Sequence, residues 1–242
     1  MFKLSEKDYV RIGSVTPEMK VADVDFNVEK IVDAIDNGVD NDCYFMVFPE
    51  LCLSGYSCAD LFFQQKLLDS VVDGLFAIAD KTGDAMSTVA VGAPLKSKGK
   101  LYNCAVIISQ GQIKGAVPKT YLDNSGEFYE ERWFSGESDR IDDMINIGGD
   151  LTPFGADIIF NIENMPDCSF GAEMCEDLWA VIPPSLDKAS AGATIMLNLS
   201  ASDEFLGKTD YRMQLVQSQS ARCMAAYVYS SAGPGESSTD IV

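Results

Sequence analysis

The chain holds seven cysteines and not one histidine. Ser-His-Asp and Cys-His catalysis are thereby excluded, and the commonest zinc ligand sets with them. Any proton transfer must run through a carboxylate or an amine. Three residues of those chemical types close three separate strand-like runs: Glu50 after the apolar Tyr44–Phe48 and Pro49, Lys119 after Ile113–Val117 and Pro118, and Cys175 after Phe170–Met174. Sites in α/β proteins gather beyond the carboxyl ends of strands, where side chains converge while the sheet holds them rigid. Taken singly, each has a plainer reading: a solvated strand end, a surface lysine, a small buried hydrophobe. Together they supply a nucleophile, a base and a cation for acyl transfer.

Local context favours the joint reading. Cys175 lies in Gly171-Ala-Glu-Met-Cys-Glu-Asp-Leu-Trp179, an apolar strand meeting a sharp polar step. Such a step resembles a nucleophile turn, which exposes the sulfur and aims backbone N–H groups at one point. A free thiol titrates near about 8.5, so it needs a base or a cation to react at neutrality. Glu50 can be that base if burial raises its pKa by about two units from about 4.3. A strand as apolar as Tyr44–Phe48 is the place for it.

The elements that must position these residues alternate between short strands and amphipathic helices. A first strand is expected over Tyr9–Ser14. Val24, Val28, Ile31 and Ile35 then write a helix over Asp25–Asn37, with Gly38 as its expected C-terminal cap. Leu68, Val71, Val72, Leu75, Ile78 and Ala79 write a second, closed by Gly83. Strands follow at Thr88–Val91, Leu101–Ile108 and Ile113–Val117, the last two joined by a Ser-Gln-Gly-Gln hairpin turn. Residues Thr120–Ser138 read as a long polar loop with room for a helical turn. Strands at Asp157–Ile162, Phe170–Met174, Ile195–Leu199 and Tyr227–Ser231 complete the pattern. A short helix is expected after Pro183-Pro184, a longer one over Tyr211–Ala226, and a last strand about Asp240–Val242. The strands are too numerous for one flat sheet, which favours two sheets with helices outside. A single doubly wound sheet stays as the alternative, because periodicity alone does not choose.

Composition narrows the partners. The formal net charge is −19, with 18 Lys and Arg against 37 Asp and Glu. That field repels phosphate backbones and anionic bilayers, so no nucleic acid and no membrane is expected. The odd cysteine count, the lack of a C-x-x-C pair and the lack of a secretory leader argue against a disulfide framework. A reducing cytoplasm is the expected compartment.

Phe48-Pro-Glu50 with Leu-Cys-Leu-Ser-Gly-Tyr56, Pro118-Lys-Thr-Tyr-Leu122 and Glu173-Met-Cys-Glu-Asp177 resemble the nitrilase (carbon–nitrogen hydrolase) superfamily. Glu127-Phe-Tyr-Glu-Glu-Arg132, Asn198-Leu-Ser200, Ala221-Arg-Cys-Met-Ala-Ala-Tyr-Val-Tyr229 and Gly235-Glu-Ser-Ser-Thr-Asp240 narrow the likeness to the glutaminase domain of glutamine-dependent NAD synthetases. The resemblance implies an α/β fold, a nitrilase-like α-β-β-α sandwich of two mixed β-sheets with helices outside, spanning 1–242 as one domain. It implies a glutamine amidohydrolase in which Glu50 is general base and acid, Lys119 the transition-state cation and Cys175 the nucleophile that forms a thioester. It assigns glutamine contacts to Tyr56, Ser125, Phe128, Glu176, Ser202 and Lys208, with Glu176 suited to the α-ammonium and Ser202 and Lys208 to the α-carboxylate. Two positions depart from the pattern: Ser125 stands where the family usually carries tyrosine, and Lys208 where it often carries arginine.

The family pattern further implies homo-oligomers and no metal or cofactor in this domain. The released ammonia would serve a separate synthetase domain, using ATP and Mg, that converts nicotinic acid adenine dinucleotide to NAD. No phosphate-binding loop for that domain is present, so a C-terminally truncated chain is expected. Two alternatives remain: an amidase of the same superfamily acting on small aliphatic or carbamoyl amides, and a non-catalytic interaction domain.

Overall fold

In the computed structural model, which describes residues 9–83, 85, 87–163 and 165–236, eleven strands and four α-helices form four layers. The expected strand about Asp240–Val242 lies outside the described residues. The first sheet has the order β1 (Ile12–Ser14), β2 (Phe45–Val47), β3 (Thr88–Ser97), β4 (Lys100–Ser109), β5 (Gln112–Pro118). Its first three strands run parallel, and β4 is antiparallel to both its neighbours. The second sheet has the order β11 (Ala226–Ser231), β10 (Ile195–Ser200), β9 (Met165–Met174), β8 (Ile159–Ile162). Here β9, β10 and β11 are parallel and β8 is antiparallel to β9. Both sheets are therefore mixed, and the two-sheet expectation holds over the single doubly wound sheet.

Side-chain alternation builds the layers. Phe45 and Val47 of β2, Ala105 and Ile107 of β4, and Val117 of β5 point between the sheets. There they meet Phe170, Ala172 and Met174 of β9 and Ile195, Leu197 and Leu199 of β10. The alternate residues Met46, Val89, Val91, Val106 and Ile108 face outward against α1 (Val24–Asp40) and α2 (Gln65–Thr82). On the far side, Met196 packs with Cys223 and Ala225, flanked by Leu186 and Ala189. These belong to α3 (Ser185–Ser190) and α4 (Lys208–Cys223) or lie beside them. A strand buried on both faces is rich in apolar residues, which is why β2 reads as a continuous hydrophobic run.

One expectation needs correction, and one element was not anticipated. Gly38 does not cap α1. The helix runs on to Asp40 and ends at Asn41, whose N–H reaches back to Asn37 and Gly38. A Cβ at position 38 would lie 2.1 Å from the Met46 sulfur, so the glycine serves close approach of the helix to β2. A hairpin of β6 (Met144–Ile147) and β7 (Asp150–Pro153), turning at Gly148-Gly149, was also not expected. It forms a small sheet of its own. The expected hairpin between β4 and β5 is present, turning through Gln110 and Gly111, both at positive φ as a two-residue hairpin turn requires. Among the described residues, no helix is long and apolar enough to cross a membrane.

Candidate active site

Glu50 leaves β2 through Pro49 and enters a tight turn whose next residue, Leu51, has φ 52°. Gly92 of β3 lies directly against this turn, since a Cβ there would stand 2.1 Å from the Leu51 nitrogen. The Glu50 backbone N–H donates to the Ser200 carbonyl (3.2 Å), and Ala201 N–H donates to Glu50 Oε2 (3.0 Å). Glu50 thus bridges the two sheets at their carboxyl ends, and its side chain is fully buried.

Lys119 follows β5, with its backbone N–H held by the Asn103 carbonyl at 2.8 Å. Its Nζ is 2.8 Å from Glu50 Oε1 and 2.7 Å from Glu130 Oε1. Asn103 Nδ2 adds a 2.7 Å bond to Glu50 Oε1, and the Tyr56 hydroxyl donates to Glu130 Oε1 at 2.6 Å. Lys119 and Glu130 are each 1% exposed. One ammonium cannot neutralise two buried carboxylates, so the cluster favours a proton on one of them. Burial, which outweighs the Lys119 ammonium and is reinforced by the Glu130 carboxylate, pushes Glu50 up to about 7. Burial alone would pull Lys119 down, yet Glu130 and Glu50 hold it well above the usual lysine range.

Cys175 follows β9 directly and opens a 3₁₀ turn over Cys175–Leu178, with φ 37° at the cysteine itself. Left-handed backbone at a non-glycine residue is strained, and such strain collects at functional turns. Burial, then the Glu50 and Glu130 carboxylates, push the thiol well above its ordinary range against the opposing pull of Lys119. The sulfur therefore rests as a thiol, and a nucleophile forms only as its proton leaves.

Cys175 opens onto a cavity of about 360 Å³ that Ser125, Phe128, Glu176, Ser202 and Lys208 also line. Six of the nine anticipated residues thus face one space. Glu50 and Lys119 lie behind it in the buried network. Tyr56 also stands back from the cavity, bonded to Glu130, with its ring edge-on to Phe128 at 6.0 Å. Glu236 anchors it, accepting the Tyr56 N–H at 2.9 Å. The Ser125 hydroxyl donates to Asp123 Oδ1 at 2.8 Å, closing a local turn. Lys208 forms an ion pair with Asp203, another lining residue, so its charge is already partnered. Among the described residues, no cluster of three or more His, Cys, Asp or Glu side chains is placed to hold a metal ion.

Sequence reasoning passed over Glu130, Asn103, Asp203 and Arg212. Arg212 reaches Ser202 Oγ at 3.2 Å from α4 and lies over the Tyr229 ring. Glu130 sits inside the quoted Glu127–Arg132 stretch. Only burial separates it from exposed Glu131, and in an irregular loop no periodicity reports burial.

Activity should follow the protonation of Glu50. As a candidate base for Cys175, a Glu50 carboxyl protonated below pH 7 could not take the thiol proton, and kcat/KM should then fall about tenfold per pH unit there. An acid limb with an apparent pKa near 7, absent from a flat profile between pH 6 and 8, is the measurement that checks this.

Comparison with known proteins gives a consistent grouping. Residues 11–240 match the model of the carbon–nitrogen hydrolase family. The chain is similar to the glutamine-dependent NAD(+) synthetase of Mycobacterium tuberculosis, with 41% identity over 234 residues, covering 96% of this chain and 34% of that protein. For the synthetase of Homo sapiens the identity is 29% over 206 residues, covering 80% and 28%. Among solved structures, a glutamine-dependent NAD(+) synthetase from Cytophaga hutchinsonii aligns with a TM-score of 0.81 at 32% identity, covering 92% of this chain and 36% of that one. An amidase from Nesterenkonia sp. shares the fold, with a TM-score of 0.72 at 16% identity over 92% of this chain and 76% of that one. The chain spans about a third of the length of these curated relatives.

Proposed function

The chain belongs to the carbon–nitrogen hydrolase family, and we propose that it hydrolyses the side-chain amide of L-glutamine, releasing ammonia for a synthetase domain that makes NAD. The observation that carries this is a strained Cys175 turn opening onto a lined cavity, backed by the buried Glu50–Lys119 pair.

The chemistry follows from the groups available. Glu50 carboxylate takes the thiol proton as Sγ attacks the amide carbon. Charge moves to the amide oxygen, where the Lys119 ammonium and the Glu176 backbone N–H are donors, each worth on the order of 3 kcal/mol when oriented. Glu50 returns the proton to the amide nitrogen, the C–N bond breaks and ammonia leaves a thioester on Cys175. Glu50 then takes a proton from water, whose oxygen attacks the thioester. The C–S bond breaks, glutamate departs and the thiolate recovers its proton from Glu50. Glu130 contributes by sharing Lys119, which keeps the ammonium charged in a buried setting.

Glutamine also needs its zwitterionic end bound. Glu176, half-buried beside Cys175, suits the α-ammonium, while Ser202 and Lys208 suit the α-carboxylate. Lys208→Ala should raise the KM for glutamine about tenfold, since a charged hydrogen bond is worth about 1.5–3 kcal/mol and Asp203 already takes part of that charge. The same variant should leave propionamide hydrolysis unchanged. Ammonia release from both amides measures the difference, and equal glutamine KM values would remove Lys208 from the binding site. The Lys208–Asp203 pair favours one rival reading, an amidase for small uncharged amides, which needs no carboxylate anchor. A wild-type preference for propionamide over glutamine would select that rival.

A further inference from the structure

Asp177 is 1% exposed and lies two residues beyond Cys175 in the same 3₁₀ turn. Its carboxylate accepts three backbone hydrogen bonds. Oδ1 takes the N–H of Thr120 at 3.0 Å and of Tyr121 at 2.8 Å, and Oδ2 takes the N–H of Met174 at 3.0 Å. Thr120 and Tyr121 directly follow Lys119, and Met174 directly precedes Cys175. One side chain therefore holds both the residue before the sulfur and the residues after the ammonium.

The position matters because β5 and β9 belong to different sheets. No backbone ladder joins them, and the apolar packing between the layers is not directional. Charge-assisted hydrogen bonds are directional and short, so they fix a separation that packing leaves loose. Glu50 makes its own bond across to the second sheet through Ala201. For Lys119, the side-chain bonds run to Glu50 and Glu130, not to the Cys175 turn. The tie between those two elements comes from Asp177.

We propose that Asp177 is a positioning residue that sets the distance between the Cys175 sulfur and the Lys119 ammonium, and so the rate of the covalent step. The proposal rests on the amide-hydrolase reading above. A misplacement of about 1 Å in reacting groups costs on the order of 100-fold in rate.

Asp177→Asn and Asp177→Ala test it. Asparagine keeps an acceptor for Thr120 and Tyr121 but sets an NH₂ against the Met174 N–H, whereas alanine removes all three bonds. We expect kcat for glutamine to fall about 10- to 100-fold in the asparagine variant and further in the alanine variant. The glutamine KM should stay within about threefold, since the cavity-lining side chains are untouched, and alkylation of Cys175 by chloroacetamide should slow in parallel. Thermal melts establish that each variant is folded at the assay temperature, and if the alanine variant is not, the asparagine variant decides. A kcat within twofold of the parent, or a raised KM with kcat unchanged, would overturn the proposal. Should the parent fail to turn over glutamine, the functional reading falls. The chloroacetamide rates of parent and asparagine variant would then still decide the role of Asp177.

Discussion

Cys175→Ala should lower glutamine turnover by at least about 10⁴-fold while leaving the fold intact, because it removes the atom that the proposed reaction joins to the substrate. Stability should change by less than about 1.5 kcal/mol, since only one heavy atom is lost at the edge of an open cavity. The prediction is sharper than it looks, because acidity does not single this cysteine out. Cys52 and Cys58 are pushed up to about 12, and Cys104 and Cys175 are raised as well, all chiefly by burial. What distinguishes Cys175 is position: it lines a cavity and has a buried ammonium and carboxylate in electrostatic reach. An electrophilic glutamine analogue such as diazo-oxo-norleucine should discriminate strongly, because binding presents it to one sulfur. Peptide mass spectrometry after a short pulse reads the result. Equal labelling of Cys104 or Cys223, or more than about one per cent residual turnover in the alanine variant, would defeat the assignment.

The parts of this site that the sequence disclosed are those where one residue type interrupts a run. Glu50, Lys119 and Cys175 each follow the end of a strand-like run, and a reactive residue type placed there leaves a visible mark. Glu130 carries no such mark. It is an acid among acids in a loop, and it becomes singular only because folding buries it against Lys119 and Tyr56. Asp203 is hidden for a related reason: its partner Lys208 lies five residues away across a turn with no helical or strand period. Gly38 misled in the opposite direction. A glycine near a helix end normally signals a cap, but here the neighbouring Met46 on β2 demands a residue without a side chain, and the helix continues. The β6–β7 hairpin had a usable signal in Gly148-Gly149 between Met144-Ile-Asn-Ile and Asp150-Leu-Thr-Pro. Its strands are four residues each, below the length at which alternation stands out. Tyr56 shows how a site can depend on a residue at one remove: it bonds Glu130 and packs on Phe128, so its effect on substrate would pass through both.

Lys119→Met should be the most damaging single change at this site, because it costs both activity and stability. Among the described residues the ammonium is the only basic side chain bonded to Glu50 and Glu130, both buried, and removing one partner from a buried ion pair typically costs about 3–5 kcal/mol. For a chain of this size that corresponds to a drop of about 10 °C or more in melting temperature. The loss has a definite pH dependence. Lys119 lowers the Glu50 pKa, so in its absence the folded-state value rises further above the unfolded value of about 4.3. A carboxyl whose folded pKa is raised contributes stability that is fully present at low pH and is lost as pH rises through the folded value. The gap between variant and parent should therefore be small near pH 5 and widest above pH 7. Adding Glu50→Gln to Lys119→Met removes one of the two orphaned charges, and should restore part of the melting temperature at pH 8 with no recovery of turnover. Thermal melts of parent, single and double variants between pH 5 and 8 measure all three expectations. A Lys119→Met protein as stable as the parent at pH 8 would mean that Glu50 and Glu130 do not share a buried cation, and the basis for a neutral-pH base at position 50 would go with it.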